Sequence, residues 1–200
     1  MIINWYGESC FKIQVSATTI LTDPPESSSG LTPPRFKADI TLFTKTAMPE
    51  YQPSTEHRIY GPGEYEIKGI EITGIQLLEK SGELKSAYLM KAEEMKLCFL
   101  GHIAELPDSD IREKLTEIDI LFIPAGGDPF LPQEDAAKLV KQIQPKIVIP
   151  TLFKIPSLKR QSADVKKFLQ ELEQKAEPQE KLTIKKKDLP ENTMMVVLKA

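Results

Sequence analysis

The segment DILFIPAGGDPFLPQEDAAKLVKQIQPKIVIP, residues Asp119 to Pro150, decides the fold class. It opens with an apolar run that ends in a pair of glycines, which is typical of a strand covered on both faces. Its middle places apolar residues such as Ala136, Leu139 and Val140 on one helical stripe, behind an acidic first turn. A second apolar strand follows. The segment therefore predicts a strand–helix–strand unit within a layered protein.

The first hundred residues differ from this segment because strand patterns dominate them. Short runs with many β-branched and aromatic residues are separated there by Gly, Pro, Ser and Asp. Strand patterns also close the chain, over residues 181–187 and 193–199. A meander of strands followed by helix–strand alternation predicts two packed sheets with helices outside.

Two further helices are predicted, one on each side of the deciding segment. Residues 108–118 carry a helical pattern behind Asp108 or Ser109, either of which is a suitable N-cap. Residues 162–176 carry an amphipathic pattern that we expect Ser162 to cap.

Size and composition limit the classes of function. A chain of 200 residues corresponds to one domain, residues 1–200, and can bury a sizeable core. Its net charge of −3, with both signs well mixed, gives no reason to expect nucleic-acid binding. No apolar run reaches the roughly 18 residues of a membrane span, and the N-terminus lacks a leader pattern. We therefore expect a soluble, cytoplasmic protein that binds neither nucleic acid nor membrane.

The two cysteines, Cys10 and Cys98, both lie within apolar runs. Buried, reduced thiols explain this position better than a disulfide does. A nucleophilic pair of Cys10 with His102 would need an exposed thiolate, whereas the run SCFKI has the pattern of an inward-facing strand.

A series of motifs resembles the metallo-β-lactamase superfamily. They occur in order along nearly the whole chain, and the most specific are GPGEYEIKGI, residues 61–70, and PKIVIP, residues 145–150. The chain is most similar to the branch of ascorbate-6-phosphate lactonase and related zinc-dependent hydrolases. The resemblance implies an α+β fold, a four-layer αββα sandwich with its site in a shallow groove at one edge of the two sheets. Because related lactonases are oligomeric, it also suggests a homo-oligomer.

Metal-ligand positions can be compared with the family one by one. The family motif Thr-His-x-His-x-Asp-His follows a strand, and its imidazoles and carboxylates leave an open zinc position for a water. Here that strand is DITLFT, and Thr44 matches the Thr of the motif. A His common before Ser-Cys-Phe in the family is replaced by Glu8. The ligand positions that the resemblance implies fall on Lys45, Ala47, Pro49, Glu50, Glu79, His102 and Leu152.

The histidine count agrees with that comparison. The chain contains two histidines, His57 and His102, whereas a full binuclear site of the family uses about four or five. We therefore expect no metal and no other cofactor. The expected function is that of a pseudoenzyme, a hydrolase-fold protein that acts through binding or assembly. An unknown small molecule or a protein remains open as its partner.

Polar residues are expected to converge at the former metal site and to form a residual groove. Lys45 would partly offset carboxylates that face a dication in the family. One alternative is a solvated groove without a task, and another is a weak metal site, which Lys45 would oppose. A third is an active lactonase or phosphoesterase with an atypical metal site or with metal-free acid–base chemistry. A turn cap is the simpler role for Asp23. The residual groove comprises Glu8, Asp23, Lys45, Glu50, Glu79 and His102.

Overall fold

The structure, a computed structural model, describes residues 1–46, 56–77 and 84–200. Most of the described chain is organised into two β-sheets. The strands are β1 (Ile2–Trp5), β2 (Phe11–Val15), β3 (Thr18–Thr22), β4 (Ile40–Phe43), β5 (Lys45–Thr46), β6 (His57–Tyr60), β7 (Gly63–Ile67), β8 (Ile70–Leu77), β9 (Leu84–Ala92), β10 (Met95–Phe99), β11 (Ile120–Pro124), β12 (Ile147–Thr151), β13 (Leu182–Thr183) and β14 (Met194–Met195).

The first sheet has six strands in the order β13-β1-β2-β3-β4-β6. Strands β1, β2 and β3 form an antiparallel meander. Strands β3, β4 and β6 then run parallel, with Ile20 opposite Ile40 and Ile40 opposite His57. The carboxyl ends of β1, β3 and β4 therefore lie at one edge of this sheet.

The second sheet has eight strands in the order β14-β12-β11-β10-β9-β8-β7, and β5 pairs with β9 beside it. Strands β10, β11, β12 and β14 are parallel, whereas β7, β8 and β9 are antiparallel. Every residue of β11 and β12 is buried. This burial confirms the prediction that both strands are covered on both faces.

Apolar side chains from both sheets form one core. Phe11 of the first sheet meets Phe122 of the second at a ring distance of 4.7 Å, and Phe122 stacks on Phe99 at 4.4 Å. These three side chains are at most 2% exposed. Such aromatic contacts join the sheets face to face and fix their relative position.

The described α-helices all follow β10 in sequence: α1 (Ser109–Arg112), α2 (Gln133–Ile143) and α3 (Val165–Glu171). Helix α2 contacts β11 and therefore covers the outer face of the larger sheet, and α3 packs against α2. These layers form the predicted α+β sandwich, although the described residues add no second helix pair on the six-stranded sheet, so the predicted fourth layer is not seen among them. No described helix is long and apolar enough to cross a membrane.

Two predicted helices are shorter than their sequence patterns. The first ends at Arg112 because the chain tightens into turns, in which Lys114 N donates to Ile111 O and Leu115 N to Arg112 O. The Asp108 side chain makes no capping bond there, and Ser109 is already within the helix. These turns still bury Leu115, which explains the helix-like pattern.

The cap of α3 is Asp164, whose side chain accepts from Lys166 N at 2.8 Å, so the prediction of Ser162 was wrong. Backbone hydrogen bonds of Ala163 to Gly126 and Lys154 hold the preceding chain outside the helix. The strands predicted over residues 181–187 and 193–199 are shorter in the structure, where they are β13 and β14. Residues 186–188 form a 3₁₀ turn instead.

Candidate functional site

Strand ends from both sheets meet at one edge of the sandwich and carry the candidate groove. Asp23 follows β3, Thr44 follows β4, and His102 lies in the turn after β10. Leu152 follows β12, and its N–H contacts Glu8 O, in the loop after β1, at 3.3 Å. Because carboxyl ends of parallel strands are the usual place for binding groups in layered α/β proteins, this edge is the candidate site.

A buried hydrogen-bonded chain joins Asp23, Thr44 and His102. The two oxygens of Asp23 accept from Thr44 N and from Thr44 Oγ1, each at 2.7 Å. Thr44 Oγ1 also lies 2.8 Å from His102 Nδ1. Asp23 therefore ties β3 to the end of β4 and supports the histidine through Thr44. The interpretation of Asp23 as a simple turn cap was incomplete, because both of its oxygens are used by Thr44.

Gly101 packs closely against Thr44, the middle residue of this hydrogen-bonded series. Its φ is +56°, and a Cβ at this position would lie 2.1 Å from Thr44 Oγ1. Only glycine combines this left-handed backbone with such a close approach. The hydroxyl of Thr44 is consequently held between Gly101, Asp23 and His102.

Burial decides the charge states within the chain. It raises the pKa of Asp23 to about 6, although hydrogen bonds from Thr44 act in the opposite direction. Burial lowers the pKa of His102 to about 3, and the charges of Lys45, Lys85 and Arg160 lower it further. At neutral pH, Asp23 is therefore mostly ionised and His102 is neutral.

These charge states fix the direction of the hydrogen bonds. An ionised Asp23 can only accept, so the single hydroxyl proton of Thr44 is donated to Asp23. Thr44 Oγ1 must then accept from His102, whose proton lies on Nδ1. The other ring nitrogen, Nε2, carries a lone pair in this tautomer and is a hydrogen-bond acceptor.

Two lysines lie beside this chain on paired strands. Lys45 of β5 is directly opposite Lys85 of β9. Directly opposed residues project from the same face of a sheet, and like charges in that position repel. Lys45 is exposed, but Lys85 is only 6% exposed. The sequence analysis missed Lys85, because its burial depends on the pairing of two strands that are distant in sequence.

Arg160 also lies near His102. Phe130 contacts the ring of His102 at 5.3 Å between centroids, and the Arg160 guanidinium lies 4.9 Å from the centre of the Phe130 ring. Arg160 donates to both oxygens of Glu8, at 3.1 and 3.3 Å, and to Leu152 O at 2.7 Å. Glu8 is thus paired with Arg160, which lies in a loop without any distinctive sequence pattern.

Three non-glycine residues at this edge have a left-handed backbone. Glu8, Asp23 and Leu152 all have positive φ, at 53°, 36° and 59°. Leu152 is completely buried, and a Cβ on Gly126 would lie 2.0 Å from its carbonyl oxygen. Such conformations cost about 1–3 kcal/mol each and cluster at functional sites. This edge therefore includes three strained backbone positions, and the one at Leu152 carries an aliphatic side chain.

The described residues do not fit the zinc centre that the fold implies. Within residues 1–46, 56–77 and 84–200, no group of three or more His, Cys, Asp or Glu could hold a metal ion. Both oxygens of Asp23 are bonded to Thr44, and Glu8 is paired with Arg160. The ammonium groups of Lys45 and Lys85 would also repel a dication. Four positions compared above, Ala47, Pro49, Glu50 and Glu79, lie outside the described residues.

The remaining candidates do not form a second site. Cys10 and Cys98 are buried and free, as predicted, and burial raises the pKa of both thiols, that of Cys98 to about 12. A thiolate nucleophile is therefore disfavoured at both positions. His57 is exposed and pairs with Ile40, at the opposite end of β4 from Thr44. His102 is thus the histidine that belongs to the groove.

Comparisons with known proteins identify the family. Residues 2–152 match the profile of the beta-lactamase superfamily domain. A UPF0173 protein of Pyrococcus furiosus is 25% identical over 203 residues, which cover 88% of this chain and 92% of the relative. A protein named UPF0173 metal-dependent hydrolase, from Methanopyrus kandleri, is 22% identical, with coverage of 86% and 93%.

Solved structures show the same fold. A candidate zinc-dependent hydrolase of the metallo-β-lactamase superfamily, from Thermotoga maritima, superposes with a TM-score of 0.82 at 24% identity, covering 98% of this chain and 97% of that one. The short form of human tRNase Z gives a TM-score of 0.57 at 12% identity, with coverage of 76% and 92%. The profile match, supported by this shared fold, means that the chain belongs to the beta-lactamase superfamily.

Proposed function

We propose that this protein uses the superfamily groove to bind a ligand or partner and does not catalyse zinc-dependent hydrolysis. The observation that carries the proposal is the small number of histidines that could bind a metal. The chain has two histidines, and His57 pairs with Ile40 at the far end of β4. Four strand positions separate Ile40 from Thr44, which corresponds to about 13 Å. One imidazole, that of His102, therefore remains for the groove.

The surrounding charges support the same proposal. Metal-dependent hydrolases of this kind need ligands that hold a metal and leave a coordination position open. Here Lys45 and Lys85 contribute positive charge beside His102, where a dication would otherwise supply it. A neutral imidazole with two ammonium groups nearby is suited to binding an anionic group.

A metal-dependent hydrolase is the second candidate, and the names of the relatives favour it over the first. The Methanopyrus kandleri relative and others carry the name UPF0173 metal-dependent hydrolase. Glu50 and Glu79, combined with His102, would supply the donors for an atypical metal site or for metal-free acid–base chemistry. A lactone or a phosphoester is the substrate class that the resemblance to the lactonase branch suggests.

Metal content separates the two candidates. Protein purified without chelator should contain well under one transition metal per chain by elemental analysis. It should also leave a simple lactone and a phosphodiester unhydrolysed, both as purified and after addition of zinc or manganese. Stoichiometric zinc or manganese, whose removal abolishes hydrolysis of either substrate, would establish the second candidate and overturn the first.

Assembly into a cytoplasmic homo-oligomer is a part of the proposal that the sequence resemblance supports. Light scattering at several protein concentrations tests it. A mass that stays at that of one chain, 22.5 kDa, at every concentration would remove self-assembly as the role of the protein.

A further inference from the structure

We propose that the groove binds a tetrahedral oxyanion that carries a proton, with hydrogen phosphate as the simplest example, and that Nε2 of His102 accepts the hydrogen bond from that proton. This inference rests on the proposed metal-free binding function, because a metal in the groove would itself coordinate the anion. The groups that carry it are the hydrogen-bonded residues Asp23, Thr44 and His102 and the cationic side chains near His102.

The first step concerns the proton of His102. Thr44 is 1% exposed and Asp23 9% exposed, so water does not compete well for their hydrogen bonds. Asp23 accepts from Thr44 at 2.7 Å, and Thr44 must accept from Nδ1 at 2.8 Å. Within the described part of the chain, Nε2 makes no hydrogen bond of its own. The ring therefore offers a fixed acceptor on the edge that faces away from Thr44.

The second step concerns charge. The backbone of Lys45 follows Thr44 directly, and Lys85 is its partner across the strands. Arg160 lies beyond Phe130, which contacts the imidazole. Lys45 and Lys85 make other contacts as well, and their charge and position, not a lack of partners, would attract an anion. Glu8 offsets part of the charge of Arg160.

The third step combines both features into a selection rule. A fixed acceptor beside cations favours an anion that still has a proton to donate. An anion without a proton would direct an oxygen lone pair at the Nε2 lone pair and leave both acceptors unsatisfied. Sites that hydrogen-bond a particular proton discriminate strongly against analogues that lack it. Hydrogen phosphate and sulfate are matched probes, because both are tetrahedral dianions and only hydrogen phosphate has a proton.

The experiment compares inorganic phosphate with sulfate by titration calorimetry at about pH 7.5, where hydrogen phosphate carries its proton. The metal content of the same preparation is measured alongside. We expect phosphate to bind at least about tenfold more tightly than sulfate. In ¹⁵N spectra of histidine-labelled protein, the Nε2 signal of His102 should shift on addition of phosphate, and Nδ1 should remain protonated.

Two variants make the result specific. His102→Asn keeps a nitrogen donor for Thr44 but removes Nε2, so the preference for phosphate over sulfate should disappear. His57→Asn, the matched control, changes the histidine at the other end of β4 and should keep that preference.

A phosphate monoester separates two sources of the anion. Because its second pKa is about 6, it lacks the proton at about pH 7.5 and should bind like sulfate there.

The outcomes are distinct. Equal binding of phosphate and sulfate, no binding of either, or a preference that survives in His102→Asn would overturn the inference in metal-free protein. An Nε2 signal that is already protonated before phosphate is added would also overturn it. Stoichiometric metal in the preparation would instead contradict the proposed function, whatever the anion titration shows.

Discussion

Lys45 and Lys85 stand directly opposite each other across the β5–β9 pair, beside a histidine whose pKa is lowered to about 3. Opposed like charges are unfavourable in a sheet, so other forces must hold this arrangement. Natural proteins keep such local conflicts mainly at functional sites. The pair therefore supports a binding role for this edge of the sandwich.

Removal of one lysine should change the protonation of the neighbouring histidine. After burial, the charge of Lys45 is the largest cause that lowers the pKa of His102. In Lys45→Ala we expect that pKa to rise above about 3, which NMR titration of the ring signals of His102 would measure. Lys138→Ala, on the exposed face of α2, removes the same charge far from the groove and should leave the titration unchanged. An unchanged titration in Lys45→Ala would mean that Lys45 does not act on His102.

Replacement of Gly101 should displace Thr44 and weaken its hydrogen bonds with Asp23 and His102. Gly101→Ala adds a Cβ that would lie 2.1 Å from Thr44 Oγ1, in addition to the cost of a left-handed backbone, about 1–2 kcal/mol. We expect a loss of unfolding free energy of roughly 3–5 kcal/mol by denaturant titration, because Thr44 must move.

Gly69→Ala is the matched control for that substitution. Gly69 also has a positive φ, +75°, but a Cβ there meets no atom within 4 Å. Its cost should therefore be limited to about 1–2 kcal/mol. Equal losses of unfolding free energy in the two variants would show that the contact with Gly101 does not constrain Thr44.

The buried carboxyl of Asp23 should make part of the stability depend on pH. Its pKa is raised from 3.8 to about 6 in the folded protein, so the folded state binds the proton more tightly than the unfolded state. The contribution of this proton to the unfolding free energy is fully present below about pH 4 and is lost as the pH rises through about 6. A shift of this size corresponds to about 3 kcal/mol.

Asp23→Asn removes this titration and isolates the effect. Relative to the unmodified protein, the unfolding free energy of the variant should increase by up to about 3 kcal/mol between about pH 4 and pH 7, because only the unmodified protein loses this stability. Denaturant titrations at a series of pH values measure this difference. A difference that stays constant over this range would show that Asp23 titrates at an ordinary pKa.

The sequence predicted the fold better than the site, for physical reasons. Apolar runs such as residues 120–124 and 147–151 identify buried strands because burial on both faces requires uniform composition. The position of Asp23 was expected, but its role depends on a hydrogen bond with Thr44 across 21 residues. Arg160 was missed because its partner, Glu8, is 152 residues away. Contacts of this kind leave no local pattern.

Rebuilding the superfamily's metal-ligand set tests whether the groove has kept its scaffold. A single replacement, Lys45→His, should not create zinc binding, because one added imidazole among mismatched neighbours does not fix a coordination geometry. The structure adds Lys85→Met, which removes the ammonium group opposite position 45. The full set is Lys45→His, Ala47→His, Pro49→Asp, Glu50→His, Glu79→His, Lys85→Met, His102→Asp and Leu152→His.

The full replacement should take up zinc, as measured by elemental analysis after gel filtration, whereas the unmodified chain and Lys45→His should not. Leu152 has a left-handed backbone, φ +59°, which a histidine at this position would have to adopt as well. Pro49 is the critical position, since its ring fixes φ and it has no N–H. For that reason a second version that retains Pro49 is compared in parallel. Tight zinc binding by the unmodified chain would contradict both the ligand comparison and the proposed loss of the metal site.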